Sequence, residues 1–300
     1  MEKEYAAYKG MIRSAFLQDA DSLVLKTSDI LEILTYAKEK FPGLERITTY
    51  ARATTLKRKT VEELKELCKA GLTRIHVGLE SGSANVLKMI RKGITPEDIV
   101  EGGKKVVEAG MSLSEYIMPG VGGKTMSAEN AVETARLLNQ VKPDFIRVRT
   151  FAMHPMSPMR KLVENGTFVV MNDIEIVEEI RLLVQNLDEM RTYFSCGDFS
   201  LNLLMQVDGY LDEKKAYMLS ELDKFLALTP DQQKIYTLLR RTSYMQYPIE
   251  AVQNEEVMKK ILPEIEKLEK DGPNGFHNYI ETLKSRSEEH TSELQSRFGI

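Results

Sequence analysis

Glu80 and Lys92 are the first pair in this sequence whose types and spacing could do chemistry. Glu80 stands in the run GLESGS, Gly78 to Ser83, at the end of a β-branched stretch, and Lys92 follows twelve positions later. An acid and a base held near one strand end suit a zwitterion, because each charged half of the ligand meets its opposite. Ser81, Gly82 and Ser83 would add backbone N–H groups at a helix start, where free donors and the dipole favour a carboxylate or phosphate. A glycine turn with a solvated glutamate explains the same letters. A second basic set lies in FIRVRT, where alternation puts Phe145, Arg147 and Arg149 on one face. Guanidinium groups turned into a fold need anionic partners. Arg149, nearest the carboxyl end, reads as a ligand, and Arg147 as the partner of a structural carboxylate such as Asp144. MPGVGGKT, Met118 to Thr125, approaches a phosphate loop and fails it: Met118 occupies a required glycine position and Pro119 removes an amide. A backbone-lined turn admitting a flat ligand such as adenine remains, beside a plain tight turn.

Other chemistries are excluded by what is missing. Cys68 and Cys196 lie far apart, so there is no disulfide framework and no C-x2-C metal knuckle. His76, His154, His277 and His290 share no ligand spacing. Hydrophobic residues make up 42% and charged residues 29%, with a formal net charge of -4 spread over mixed-sign stretches. Nothing in that balance marks a nucleic-acid surface, and no apolar run is long enough for a membrane span or signal peptide. The chain reads as cytoplasmic.

These residues require a parallel sheet to position them. Five β-branched or aromatic runs, 12–18, 46–50, 73–79, 112–118 and 145–150, alternate with amphipathic stretches, the pattern of βαβ units. Thr60 with Glu63 predicts a capping box, and Gly71 a left-handed stop. Thr95, Pro96 and Asp98 open the next helix and Gly110 closes it; Ser127 starts another and Pro143 ends it. From about Met159 the alternation stops, and five apolar-periodic segments, including LNLLMQV at 201–207, read as helices. The division is a barrel domain over 1–160, a helical region over 161–285 and a tail over 286–300. Within that tail RSEEHTSELQS, Arg286 to Ser296, looks like the translation of a sequencing adapter.

With GLESGS, a lysine twelve residues after its glutamate and the YIMPGVGG turn, the sequence resembles the radical S-adenosylmethionine superfamily. The likeness covers roughly Ile12 to Pro158. Its flavour is that of the barrels shared by oxygen-independent coproporphyrinogen oxidases and tRNA-modifying members. The resemblance implies an α/β fold: a partial (β/α)6 TIM-barrel-like parallel sheet lacking its first βα unit, followed by a helical C-terminal region. It implies S-adenosylmethionine and a 4Fe-4S cluster as cofactors, cleavage to a 5′-deoxyadenosyl radical, and a reductant such as flavodoxin or ferredoxin. Glu80 and Ser81 would then meet the cofactor's polar groups, and Lys92 its carboxylate. Arg52, Asp19 and Arg149 would contact cofactor or substrate, and Ile117 and Gly120 would flank adenine. The family's three cluster cysteines, C-x3-C-x2-C, occur nowhere in these 300 residues. The sequence is therefore expected to be a family member that starts one unit late and is inactive alone. A cluster-free barrel that binds a nucleotide-like ligand is the alternative. A class I aldolase is disfavoured because no lysine stands at a strand end. Cys196 is a candidate hydrogen donor to a substrate radical, with Asp198 and Asn202 as pocket residues. The substrate has no motif of its own.

Overall fold

The computed structural model describes residues 10–154, 156–243, 247–270, 272 and 274–285. Seven strands form one sheet: β1 (Ser14–Leu17), β2 (Arg46–Ala51), β3 (Leu72–Glu80), β4 (Ser112–Ile117), β5 (Phe145–Val148), β6 (Tyr193–Ser195) and β7 (Asp208–Tyr210). They lie in chain order, β1 through β6 parallel and β7 antiparallel to β6. Parallel neighbours need crossovers, supplied by α1 (Thr27–Lys40), α2 (Ala53–Arg58), α3 (Val61–Ala70), α4 (Ala84–Met89), α5 (Pro96–Glu108) and α6 (Gly123–Val141). The remaining helices are α7 (Arg160–Glu164), α8 (Asp173–Asn186), α9 (Leu211–Leu226), α10 (Pro230–Thr242) and α11 (Glu255–Lys270), followed by a helical stretch at 275–285.

Strict sequential order with one handedness of crossover puts the helices on one face of a sheet. The side chains agree. Ile75, Val77 and Leu79 of β3 are buried under the helices, whereas Arg74, His76 and Gly78 point to the other, concave face. The core thus lies between sheet and helices, and the concave face is left to polar and aromatic groups. Among the described residues no helix is long and apolar enough to cross a membrane.

The five strands read from the sequence are present, with ends moved by one or two residues, and so are the predicted caps. Thr60 and Glu63 exchange bonds at the start of α3, and Gly71 ends it at φ 112°. Thr95 and Asp98 do the same for α5. Three details differ. The region 161–285 contains β6 and β7, each only three residues long and too short to show an alternation. LNLLMQV is turns, not helix. Asn202 takes its amide to the Val148 and Cys196 carbonyls, at 2.8 and 3.0 Å, and its oxygen accepts from Thr150 Oγ1 at 2.8 Å. Side-chain bonds to backbone outside the segment compete with helix formation. Finally, α6 begins at Gly123, one turn before Ser127, whose hydroxyl instead donates to Glu179 at 2.7 Å. The adapter-like tail, 286–300, lies outside the described residues.

The second half is locked by charge. Asp173 at the start of α8 meets Arg241 of α10 at 2.8 Å and Lys284 of the terminal helical stretch at 3.4 Å, with all three side chains almost fully buried. Burial acts to raise the Asp173 carboxyl, and the Arg241 and Lys284 charges outweigh it, holding it well below the ordinary range. Removing one member leaves buried charge uncompensated, which costs about 3–5 kcal/mol.

Candidate functional site

The pairing of β3 with β4 shifts register between Gly78 and Glu80, so that Glu80 stands opposite Ile117. Glu80 takes φ 62°, a left-handed conformation that a side chain adopts at a cost of about 1 kcal/mol or more. The result is a carboxylate folded back over the concave face. A Cβ built on Gly78 would lie 2.6 Å from Glu80 Oε1 and 3.2 Å from Lys92 Nζ, so the glycine is what leaves room for the pair. Lys92 Nζ donates to Glu80 Oε1 at 2.7 Å, and neither side chain is more than 28% exposed. The pair is open enough for a ligand and dry enough for its charges to matter.

Around it lies a cavity of about 450 Å³ at the carboxyl ends of the strands. Arg52, Glu80, Lys92 and Arg149 line it, together with Tyr50, Tyr116 and Phe151. Arg149 pairs with Asp198, Nε to Oδ2 at 3.4 Å, and its own N–H donates to the Ile117 carbonyl. Arg52 donates through Nη2 to the Lys92 carbonyl at 3.4 Å. An acid, two kinds of base and aromatic rings therefore converge on one mouth. That set suits a zwitterion carrying a flat ring.

Four of the residues singled out in the sequence come together there, and four do not. Asp19 is exposed and only accepts from the neighbouring Ala20 N–H. Asp21 is the acid that reaches the rim, taking the Arg52 N–H at 3.2 Å and the Thr55 hydroxyl at 2.6 Å. Ser81 is buried, and the amides expected to greet an anion are already used. Ser81 N donates to the Leu79 carbonyl, Gly82 N to Thr134 Oγ1, and Ser83 N to Ser81 Oγ. Gly82 approaches α6 so closely that a Cβ would lie 2.4 Å from the Glu133 carbonyl oxygen. Ile117 points into the core. The Gly120 amide is taken by Glu179 at 3.0 Å.

Two carboxyls carry no signal in the motifs read from the sequence. Glu179 of α8 clamps the turn after β4, accepting from Gly120, from Ser127 and from Asn130 Nδ2 at 2.7 Å. The clue that could have found it is an acid inside the buried stripe Ile176, Val177, Ile180, Leu183. Glu115 is fully buried on the helix-side face of β4, and neither of its oxygens has a hydrogen-bond partner. Burial, and then the Glu80 charge, push it up to about 8, against the pull of Lys92. It is a neutral acid at pH 7.

Cys196 does not serve the mouth. It is 1% exposed among core residues such as Val177 and Leu222 and does not line the mouth cavity; burial pushes its thiol far above the ordinary range and keeps it protonated. Asn202 and Asp198 each hold a cavity residue: Asn202 Oδ1 accepts from the Thr150 N–H and hydroxyl, and Asp198 pairs with Arg149. Cys68 lies in α3 with its sulfur against the Gly110 carbonyl. Among the described residues no three His, Cys, Asp or Glu side chains are grouped to hold a metal. A 4Fe-4S cluster needs thiolates that this residue set does not offer.

Residues 2–138 match the family profile of the Radical SAM superfamily. The tRNA uridine(34) acetyltransferases of Methanocaldococcus infernus and Methanocaldococcus jannaschii are each 22% identical over 120 residues, 40% of this chain. The matched stretch is 22% of those relatives' own length. Among solved structures, Methanocaldococcus infernus Elp3 with an N-terminal deletion superposes with a TM-score of 0.49 at 16% identity, covering 61% of this chain and 46% of that one. Coproporphyrinogen III oxidase from Escherichia coli gives 0.46 at 17% identity, covering 62% and 44%. The part of this chain that carries β1 to β4 is thus similar to the radical SAM superfamily, over a little less than half of the chain.

Proposed function

We propose that this chain binds S-adenosylmethionine at the mouth of its sheet, as the cofactor-holding part of a radical SAM enzyme. The observation that carries the reading is the Glu80–Lys92 pair, bent over Gly78 into a 450 Å³ cavity. Glu80 would receive the ligand's ammonium, and Lys92, with Arg52 beside it, the ligand's carboxylate. Tyr50, Tyr116 and Phe151 supply flat surface for the adenine. When bound, S-adenosylmethionine supplies the sulfonium that such enzymes cleave. The thiolates that would hold a 4Fe-4S cluster have to come from outside these 300 residues, and the one-electron donor, a flavodoxin or ferredoxin, is a partner.

Calorimetric titration of the full chain with S-adenosylmethionine tests the reading. Saturable binding that Lys92→Ala weakens tenfold or more is expected; a chain that gives no binding heat ends it. Treatment with iron and sulfide is expected to leave the protein colourless. A stable brown protein with cluster absorbance would mean that these 300 residues hold a cluster by themselves.

A second reading, a cluster-free module for a nucleotide-like ligand, is favoured by the presence of only two cysteines, neither of which lines the mouth cavity. Adenosine separates the two. A nucleoside reader binds it nearly as well as S-adenosylmethionine, whereas a mouth built on Glu80 and Lys92 needs the amino-acid half.

A further inference from the structure

Below the mouth, the concave face changes character. Phe16, Tyr50, His76 and Tyr116 form an aromatic collar, with ring centroids 4.9 Å apart for Phe16 and Tyr50, 5.7 Å for Tyr50 and His76, and 6.0 Å for His76 and Tyr116. Arg74 of β3, nearer the amino ends than the collar, and Arg147 of β5, whose backbone stands opposite Tyr116, converge on one ring. The Arg74 guanidinium carbon stands 4.1 Å from the centroid of Phe145, and that of Arg147 5.5 Å. Each gives its Nε to a serine of β4, Arg74 to Ser112 and Arg147 to Ser114, both at 3.1 Å.

Neither guanidinium meets a carboxylate at ion-pair distance among the described residues. The acid expected to pair with Arg147, Asp144, accepts the Leu113 N–H at 2.9 Å and acts on Arg74 only through its charge, beyond ion-pair distance. Asp208, on the same face, accepts the Tyr193 hydroxyl. Arg46 adds a third positive charge that acts on Arg74 and His76. His76 itself is only 8% exposed, and its Nδ1 has no hydrogen-bond partner. Burial, and then Arg147, Arg74 and Arg46, lower its pKa to about 4, so the ring is neutral.

Like charges gathered with no carboxylate at ion-pair distance, and only Asp144 acting on Arg74 from farther off, are costly, and so is an orphaned buried polar atom. One ligand relieves both. The serines fix each guanidinium by its Nε and leave the terminal nitrogens, whose fork matches an oxyanion. A neutral imidazole beside them carries one N–H, which on the unpartnered Nδ1 is a further donor to an anion, and the anion's charge raises the ring's pKa. We propose that the floor between Arg74, Arg147 and His76 is the subsite for a phosphate group of the substrate. This rests on the reading that the mouth holds S-adenosylmethionine, which makes the concave face the substrate's place. From Gly78 to Arg74 the strand rises roughly 13 Å at about 3.3 Å per residue, so the Arg74 end of the floor is distinct from the Lys92 locus. The substrate class is then a small organic phosphate, its phosphate on the floor and its reacting end at the collar beneath the mouth.

The experiment is a titration of the full chain with inorganic phosphate, reading the His76 ring resonances by NMR, with S-adenosylmethionine binding measured calorimetrically on the same samples. Phosphate is expected to shift the His76 signals saturably and to raise their pKa by about one unit or more. Arg74→Gln and Arg147→Gln are each expected to weaken that response tenfold while leaving S-adenosylmethionine affinity within twofold. Phosphate that leaves His76 unmoved, or moves it equally in the folded variants, overturns the subsite. The wild-type titration alone decides this if a variant does not fold. Cofactor binding without a phosphate response removes the floor subsite only. A phosphate response without cofactor binding keeps the anion site and removes the mouth reading.

Discussion

The mouth and the floor of the concave face both carry cations, and they differ in what stands opposite. At the mouth Lys92 meets Glu80 at 2.7 Å and Arg149 meets Asp198 at 3.4 Å. At the floor Arg74 and Arg147 have serine hydroxyls and the Phe145 ring. Paired charges nearly cancel before a ligand arrives, leaving Arg52 as the mouth's extra cation, so the mouth is matched by a ligand charged at both ends. An unpaired site stores repulsion that only net negative charge relieves. One sheet face thus presents two different electrostatic demands about four residues apart along β3.

The largest effect should come from unbalancing the mouth. Glu80→Gln leaves Lys92 without its acid and removes the ammonium's partner. Charge-assisted bonds of this kind contribute about 1.5–3 kcal/mol, so S-adenosylmethionine affinity should fall on the order of 100-fold. Calorimetry reads it directly. A change under threefold would mean that the pair is structural and that the contrast with the floor is empty.

Next in size is Glu115, behind the pair on the other face of β4. Its folded pKa, about 8, lies above the ordinary value of 4.5. The unfolded chain therefore releases this proton at lower pH than the folded one, and stability falls as pH rises through the interval between the two values. The slope approaches about 1.4 kcal/mol per pH unit for one group. Glu115→Gln should remove that slope and gain on the wild type steadily from about pH 5 to 8, as followed by urea denaturation. Parallel stability curves would show that Glu115 ionises freely in the fold, giving Lys92 a second acid and the mouth one more negative charge.

How much of this was legible follows from where the information resides. Strand positions and the caps at Thr60 and Thr95 are local, decided by a few adjacent residues, and they were readable. The Glu80–Lys92 pair was readable because both residues flank a single helix. The amides of Ser81, Gly82 and Ser83 were not, because their acceptors depend on packing: Thr134 lies 52 positions away from Gly82. Glu179 is equally remote from the Gly120 turn that it holds, and its place in an apolar stripe is the only local clue to it. The floor was half legible. Alternation put Arg147 inward, while the absence of an acid opposite it depends on Asp144 turning to the Leu113 amide.

Gly78→Ala probes the mouth more gently. Its new methyl would sit where Glu80 Oε1 and Lys92 Nζ now lie, at 2.6 and 3.2 Å, and both are ends of flexible side chains that can give way. The fold should therefore survive, with the pair splayed and S-adenosylmethionine bound about tenfold more weakly, or about 1.4 kcal/mol. An unchanged affinity would mean that the ligand does not use the pair in its present geometry.

The smallest effect belongs to the floor and is the most specific to it. Phe145→Leu removes the ring face against which both guanidinium groups rest, a contact worth about 0.5–1 kcal/mol at partly exposed sites. Without that face the repulsion between Arg74 and Arg147 has one less offset, so the variant should lose about 1 kcal/mol of stability in low-salt buffer. Inorganic phosphate should return part of it, because a bound anion supplies the same negative potential that the ring face gave. Chemical denaturation with and without phosphate measures the difference. If the loss is the same in both, the ring matters only as packing volume, and the two ends of the face are less different than their charges make them.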